Sequence, residues 1–217
     1  MKYSSGTIVI CSGRATAYSS FVGCMLNTQI PEGTELRLTI SAFVDENRNE
    51  SIKRSKGEWV WFVDDDHIWE PDLLLKLLDH DKDIVVPFTP RKFPPFDPVL
   101  FKGYNPINKT LLRIDLKDIK PSLIEVYAAG AAGMLIKRKV FEKISYPWFE
   151  IKREDGTIYG EDIMFSQKAR ENGFKIFADL NLKMGHIADH IVNYDYRDEK
   201  WNVRLDLGEQ NIFLPIE

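Results

Sequence analysis

Four apolar runs limit what this chain can fold into: residues 7–11 (TIVIC), 36–44 (LRLTISAFV), 59–63 (WVWFV) and 83–88 (DIVVPF). Each has strand length, is rich in β-branched or aromatic residues, and is too short for a core helix. Helical segments separate them. Phe21, Val22, Met25 and Leu26 recur at helical spacing until Pro31-Glu32-Gly33 breaks the pattern. Residues 46–55 are polar and helical, closing at Lys56-Gly57. Glu70-Pro71-Asp72 opens a third helix, with proline and acids at the end that favours them and Leu73, Leu74, Leu77 and Leu78 as its apolar face. Strand and helix in alternation specify an α/β fold with a mainly parallel central sheet flanked by helices. Ligands of such sheets bind outside the carboxyl ends of the strands. Ser12-Gly13-Arg14 ends the first run and Asp64-Asp65-Asp66 the third, so both face one crevice.

The second half is less regular. Residues 89–98 are a proline-rich loop. Residues 125–137 (EVYAAGAAGMLIK) are rich in small residues and strand-like, with a short helix over 139–144. A helix over 161–172 closes at Gly173, and 174–180 is a late strand. The tail after His190 is polar with scattered aromatics and has no assigned state. The expected division is one domain over 1–190 and an extension over 191–217, either a lid or a segment packed on the domain. A chain of 217 residues supports one sizeable core. The net charge of −4 argues against a dedicated nucleic-acid clamp, though not against a nucleic acid touched locally as substrate. Cys11 and Cys24 lack metal-site spacing and read as buried, reduced thiols. The first apolar run is too short for a signal peptide, and no stretch approaches the roughly 18 apolar residues of a membrane span. A soluble, cytoplasmic protein is expected.

Three adjacent carboxylates repel one another unless a cation or solvent relieves them. Extended geometry sends Asp64 and Asp66 to one side and Asp65 to the other, so Asp64 and Asp66 are the natural pair for a hard divalent cation, Mn²⁺ or Mg²⁺. The competing interpretation is a solvated turn before the helix. Glu161-Asp162 stands at a helix start, where acids serve as caps or, in sugar transfer, as the base that takes the acceptor's proton. His186 follows a strand and is either an ordinary packed histidine or a metal ligand. In the proline-rich loop, Arg91 and its neighbours wall a pocket or make a rigid surface loop. Trp148 and Phe149 stack on a sugar or base, or serve the core.

Three segments, WVWFVDDDHIWEPDLL, GAAGMLIKRKVFEKI–SYPWF and YGEDIMFSQKARENGFKIFADLNLKMGHI, resemble in order and spacing the GT-A glycosyltransferases, most closely the family 2-like group. With the first strand the resemblance spans residues 7–187. It implies the GT-A, Rossmann-like nucleotide-diphospho-sugar transferase fold and a nucleoside-diphosphate-sugar donor bound with Mn²⁺ or Mg²⁺. By resemblance Asp64 and Asp66 form the DxD motif, with Asp66 the stronger metal ligand, Asp64 facing the ribose and metal-bound phosphate, and Asp65 beside them on the donor. His186 is then the third metal ligand, and Glu161-Asp162 the ED pair with Asp162 as base. Gly130, Ala131, Ala132 and Gly133 form the strand along donor sugar and acceptor. Ser12, Gly13 and Arg14 form the first nucleotide-binding loop. Arg48 contacts the base or pyrophosphate, and Asp45 is the nearby candidate for the nucleobase. Two departures stand out: the segment before Arg48 is very short, and little chain follows His186 to make a lid.

The expected activity is hexosyl or pentosyl transfer to an acceptor hydroxyl, inverting, with Asp162 as base. The acceptor is left open among a small molecule, a glycan, a protein and a modified nucleic-acid base. A sugar-phosphate nucleotidyltransferase and a non-catalytic nucleotide- or carbohydrate-binding module are the rivals.

Overall fold

The structure, a computed structural model, describes residues 2–13, 16–41, 43–107, 109–117, 119–154, 156–188, 191–206 and 211–216. The first half alternates as expected: β1 (Thr7–Ser12), α1 (Ser19–Asn27), β2 (Glu35–Ile40), α2 (Val44–Arg54), β3 (Trp59–Asp64), β4 (His67–Trp69), α3 (Leu73–Asp79) and β5 (Ile84–Phe88). The second half contains β6 (Leu100–Asn105), β7 (Thr110–Arg113), β8 (Leu123–Val126), β9 (Ala128–Ala129), β10 (Leu135–Lys137), α4 (Arg138–Lys143), β11 (Lys152–Glu154), β12 (Thr157–Tyr159) and α5 (Glu161–Glu171). The chain then runs through β13 (Ile176–Ile187), β14 (Ile191–Arg197), β15 (Lys200–Asp206) and β16 (Asn211–Pro215).

The main sheet has the order β16-β15-β14-β13-β5-β10-β3-β1-β2. Its central strands are apolar on both faces because both faces are covered. From β3, Val60 and Phe62 join Val9, Ile84 and Val86 in a layer with Ile52 of α2, Val140 and Phe141 of α4 and Phe165 of α5. The alternate residues Trp59, Trp61 and Val63 join Ile8 and Val85 under Phe21 of α1 and Leu73, Leu74 and Leu77 of α3. The α1 face is narrower than its spacing suggests. Phe21 is buried, whereas Val22 and Leu26 are exposed.

The sheet is mixed rather than mainly parallel. Among the described residues, parallel pairing is confined to β1 with β2, β1 with β3, and β5 with β13. β10 enters antiparallel between β3 and β5. The cause lies in residues 125–137, which form no single strand. A tight turn interrupts them, with Met134 N–H donating to Ala131 O at 3.0 Å, and only Leu135–Lys137 beyond it enters the sheet, against β3 and β5. Gly133 has φ of +78° there, and a Cβ on it would lie 2.4 Å from Pro87 Cγ, so the position requires glycine. In the tail, unassigned from sequence, β14, β15 and β16 continue the sheet as successive antiparallel strands. Tyr194 and Trp201 anchor it. Tyr194 is 1% exposed and stacks on Phe88 with ring centroids 4.2 Å apart. No helix of the described residues is long and apolar enough to cross a membrane.

Candidate active site

β1 and β3 run parallel with Cys11 beside Asp64, so their carboxyl ends open on one crevice. The three aspartates separate in three directions there. Asp64 accepts from Arg48 Nη2 at 3.1 Å. Asp65, buried, accepts from Ser12 Oγ at 2.5 Å. Asp66 turns to the strand pair β4 and β13. Mutual repulsion is thus relieved one carboxylate at a time. Cys11 lies beneath this rim, its thiol pushed up to about 12 by burial, which fits an inert core residue.

Asp66 is the centre of a compact polar group. Its Oδ2 lies 3.3 Å from His186 Nε2 and 3.0 Å from Lys92 Nζ, and its Oδ1 lies 2.9 Å from His67 Nδ1. Burial alone would raise the Asp66 carboxyl, but the adjacent His186 and His67 imidazoles outweigh it and hold the group well below the usual carboxylate range. His186 Nδ1 lies 3.0 Å from the Pro90 carbonyl oxygen. A carbonyl can only accept, so Nδ1 carries hydrogen and a neutral ring presents a bare Nε2 to Asp66. Two lone pairs then face each other unless Nε2 is also protonated or a metal cation stands between them. Asp66, His67 and His186 each offer one ligand atom, all within 4.8 Å of one another, so these residues fit a divalent cation. Asp64 does not join that trio.

α5 brings the second pair of acids. Glu161 accepts from Arg48 Nη1, so the Arg48 guanidinium, 3% exposed, bridges the β3 end to the α5 start. Phe62 and Phe149 flank it, with ring centroids 5.8 and 5.7 Å from Cζ. Asp162 is pushed up to about 7 by burial and then by the adjacent Glu161 charge, against the opposing pull of Arg48 and the Ile163 N–H. That N–H donates to Asp162 Oδ1 at 2.8 Å. A carboxylate poised near 7 is suited to accept and release a proton.

Two adjoining cavities share Val44 and Asp64. One, of about 220 Å³, has Gly130, Ala131, Ala132, Glu161, Asp162, His67 and His186 in its wall, with Thr89, Pro90 and Val99 opposite. The other, of about 440 Å³, is lined by Ser12, Gly13, Ser41, Asn47, Asp64, Asp65, Asp66 and Lys92. Asn47 holds that rim together, reaching Ser12 O and Ser41 O at 3.3 Å each.

Most residues picked from sequence therefore meet in one place, but several do not. Arg48 lines the crevice, yet both arms are held by carboxylates, so it is not free for a base or pyrophosphate. Gly133 packs behind the crevice against Pro87. Asp45, in the first turn of α2, lines neither cavity. Arg91 pairs with Asp97 inside its own loop at 3.4 Å. Phe149 is fully buried and stacks on Phe165 with centroids 4.5 Å apart, so it cannot stack on a sugar. Trp148 Nε1 donates to Phe141 O at 2.9 Å, and the ring packs on the core beside α4. Arg14 lies outside the described residues. Sequence reasoning missed His67 and the contact of Lys92 with Asp66. The signal for His67 was its place directly after the triplet, at the start of a strand. That Asn49 would accept from the Trp148 and Phe149 N–H groups at 3.1 Å each and donate to Phe149 O at 2.7 Å had no local signal at all.

Residues 40–145 match the family model described as glycosyl transferase family 2. The matched stretch contains Arg48, the three aspartates and residues 130–133, and stops before Asp162 and His186. Among solved structures, A197 from STIV superposes with a TM-score of 0.60 at 15% identity, over 97% of this chain and 95% of its own. TarS of S. aureus gives a TM-score of 0.49 at 14% identity, over 81% of this chain and 35% of TarS. No curated protein matches this chain.

Proposed function

We propose that this chain, whose residues 40–145 match the glycosyl transferase family 2 model, is a glycosyltransferase that moves a sugar from a nucleoside-diphosphate donor to an acceptor hydroxyl by inverting displacement. The observation that carries the proposal is Asp162: a carboxyl raised to about 7, in the wall of a crevice that also contains Asp64 and His186. The nucleoside diphosphate fits the cavity lined by Ser12, Gly13, Ser41 and Asn47, where the Ser41 hydroxyl is a donor and Asn47 holds the rim in shape. The sugar lies over Gly130, Ala131 and Ala132, where short side chains let a ring approach the backbone. Asp66 and His186 would hold Mn²⁺ or Mg²⁺ with Asp64 alongside, and such an ion offsets charge on the departing diphosphate.

In the reaction, Asp162 takes the proton of the acceptor hydroxyl. The acceptor oxygen bonds to the anomeric carbon as the bond to the diphosphate oxygen breaks on the opposite face. Glu161 keeps Arg48 in place and, as a fixed negative neighbour, helps keep the base near 7. Asp162→Asn is expected to cut turnover by about 10²-fold or more while donor affinity holds. An unchanged transfer rate would refute the assignment. A thermal-shift panel of nucleoside diphosphates and nucleotide sugars, with and without Mn²⁺, identifies the donor as the compound that stabilises the fold in a metal-dependent way. Release of a nucleoside diphosphate, rather than consumption of a triphosphate, separates transfer from nucleotidyl activation.

A further inference from the structure

We infer that His67 is a direct ligand of the cation, so that this chain binds its ion through two imidazoles and one carboxylate and takes Mn²⁺ in strong preference to Mg²⁺. The inference rests on the proposal that the Asp66 group binds a divalent cation. It changes the ligand set: a second imidazole takes the place of the second carboxylate.

His67 is 2% exposed, and neither ring nitrogen has a hydrogen-bond partner. Nδ1 lies 2.9 Å from Asp66 Oδ1, but without the alignment of a hydrogen bond. A buried ring nitrogen left in that state is destabilising, and a metal ion relieves one of the two by using its lone pair directly. Nor is the placement incidental. β4 and β13 pair antiparallel with His67 directly opposite His186. The two rings lie 4.1 Å apart at 33°, so both imidazoles face the same carboxylate from neighbouring strands. Gly185 sits opposite Ile68 in the next pair, where a Cβ would come within 3.0 Å of the Ile68 side chain, which keeps this register close. The three ligand atoms fall within 4.8 Å of one another. Ligands about 2.0–2.2 Å from one ion stand roughly 3 Å apart when adjacent and about 4.4 Å when opposite, so side-chain rotation draws this trio onto one ion. Asp64 is held by Arg48 and is not needed in the shell.

The chemistry of the set decides the metal. Mg²⁺ prefers all-oxygen octahedra and sheds water reluctantly. Imidazole nitrogen binds transition ions better, in an order that rises from Mn²⁺ to Co²⁺. The expected ranking is therefore Co²⁺ above Mn²⁺, with Mg²⁺ far behind.

Mn²⁺ binding to the full chain, read by electron paramagnetic resonance with and without uridine diphosphate, tests this without any measurement of activity. Pulsed spectra of the wild-type protein are expected to show nitrogen couplings from two imidazoles. His67→Gln and His186→Gln should each show one, and His67→Gln should bind Mn²⁺ at least about tenfold more weakly. Co²⁺ should displace Mn²⁺ at lower concentration than Mg²⁺ does. A single imidazole in the wild-type spectrum, or unchanged Mn²⁺ affinity in a folded His67→Gln, overturns the inference and leaves the cation site standing on Asp66 and His186. Failure of the wild-type chain to bind Mn²⁺ under either condition overturns the cation site itself. The wild-type nitrogen count needs no variant to fold.

Discussion

Burial and the Glu161 charge push the Asp162 carboxyl up to about 7, so near neutral pH the folded chain still holds much of a proton that the unfolded chain has released. The sign follows from that difference. The native state binds more protons between the ordinary carboxylate range and about pH 7, so stability falls as pH rises through this window. Asp162→Asn should therefore stabilise the protein above pH 7, by on the order of 2 kcal/mol, with the gain fading toward pH 4. Denaturant titrations at pH 5 and pH 8 check this, and an equal difference at both would count against the raised carboxyl. In the wild type, kcat/KM should rise with pH along an acid limb centred near 7. Arg48 has the opposite sign. Arg48→Met leaves Asp64 and Glu161 without their shared partner in a buried setting, and should cost about 3–5 kcal/mol by thermal or denaturant unfolding. Lysine should not restore it, because a single ammonium cannot reproduce a fork that serves two carboxylates. At this scale the convergence of Asp64, Asp66, Asp162 and His186 on adjoining cavities was legible, because titratable groups at strand and helix ends leave a pattern. The pairing of Arg48 with Glu161 was not, because the two lie 113 positions apart. His67 was hidden for a related reason: its meaning comes from the residue opposite it on another strand.

At the scale of elements, the sequence specified strand and helix well wherever apolar periodicity was clean. It failed where small residues blur the period. Residues 125–137 read as one strand because alanine suits either a turn or a strand, yet Gly133 decides the path. Gly133→Ala places a methyl group on Pro87 at a positive φ, and should cost at least about 2 kcal/mol and disturb β10. A thermal-unfolding comparison with Gly23→Ala, a half-buried helical position with open space around it, checks that the effect is steric. The Trp148-Phe149 segment shows the same limit from the other side. Aromatic side chains announce burial or stacking equally well, and only the Asn49 clamp and the Phe165 ring decide for burial.

At the scale of the molecule, the meander of β14 to β16 is part of the core rather than an appendage. Tyr194 stacks on Phe88 and donates to Phe96 O, and so ties the proline-rich wall of the crevice to the sheet. Tyr194→Ala should cost about 3–5 kcal/mol and also raise protease cleavage in residues 89–98 ahead of global unfolding. Cleavage confined to other segments would argue against that tie. The mixed sheet could not be read from the sequence, because alternation of strand and helix reports crossovers but not the strand that arrives by a turn. The central position of β5 has a consequence for how the chain is made. One edge of β5 waits for β10, and the other for β13, which begins at residue 176. A growing chain must therefore extend past residue 176 before Ile84–Phe88 is paired on both sides, and until then an apolar strand with open edges is available to other nascent chains. Synthesis rate and chaperone supply, more than the final stability of the fold, should govern how much active protein a cell recovers.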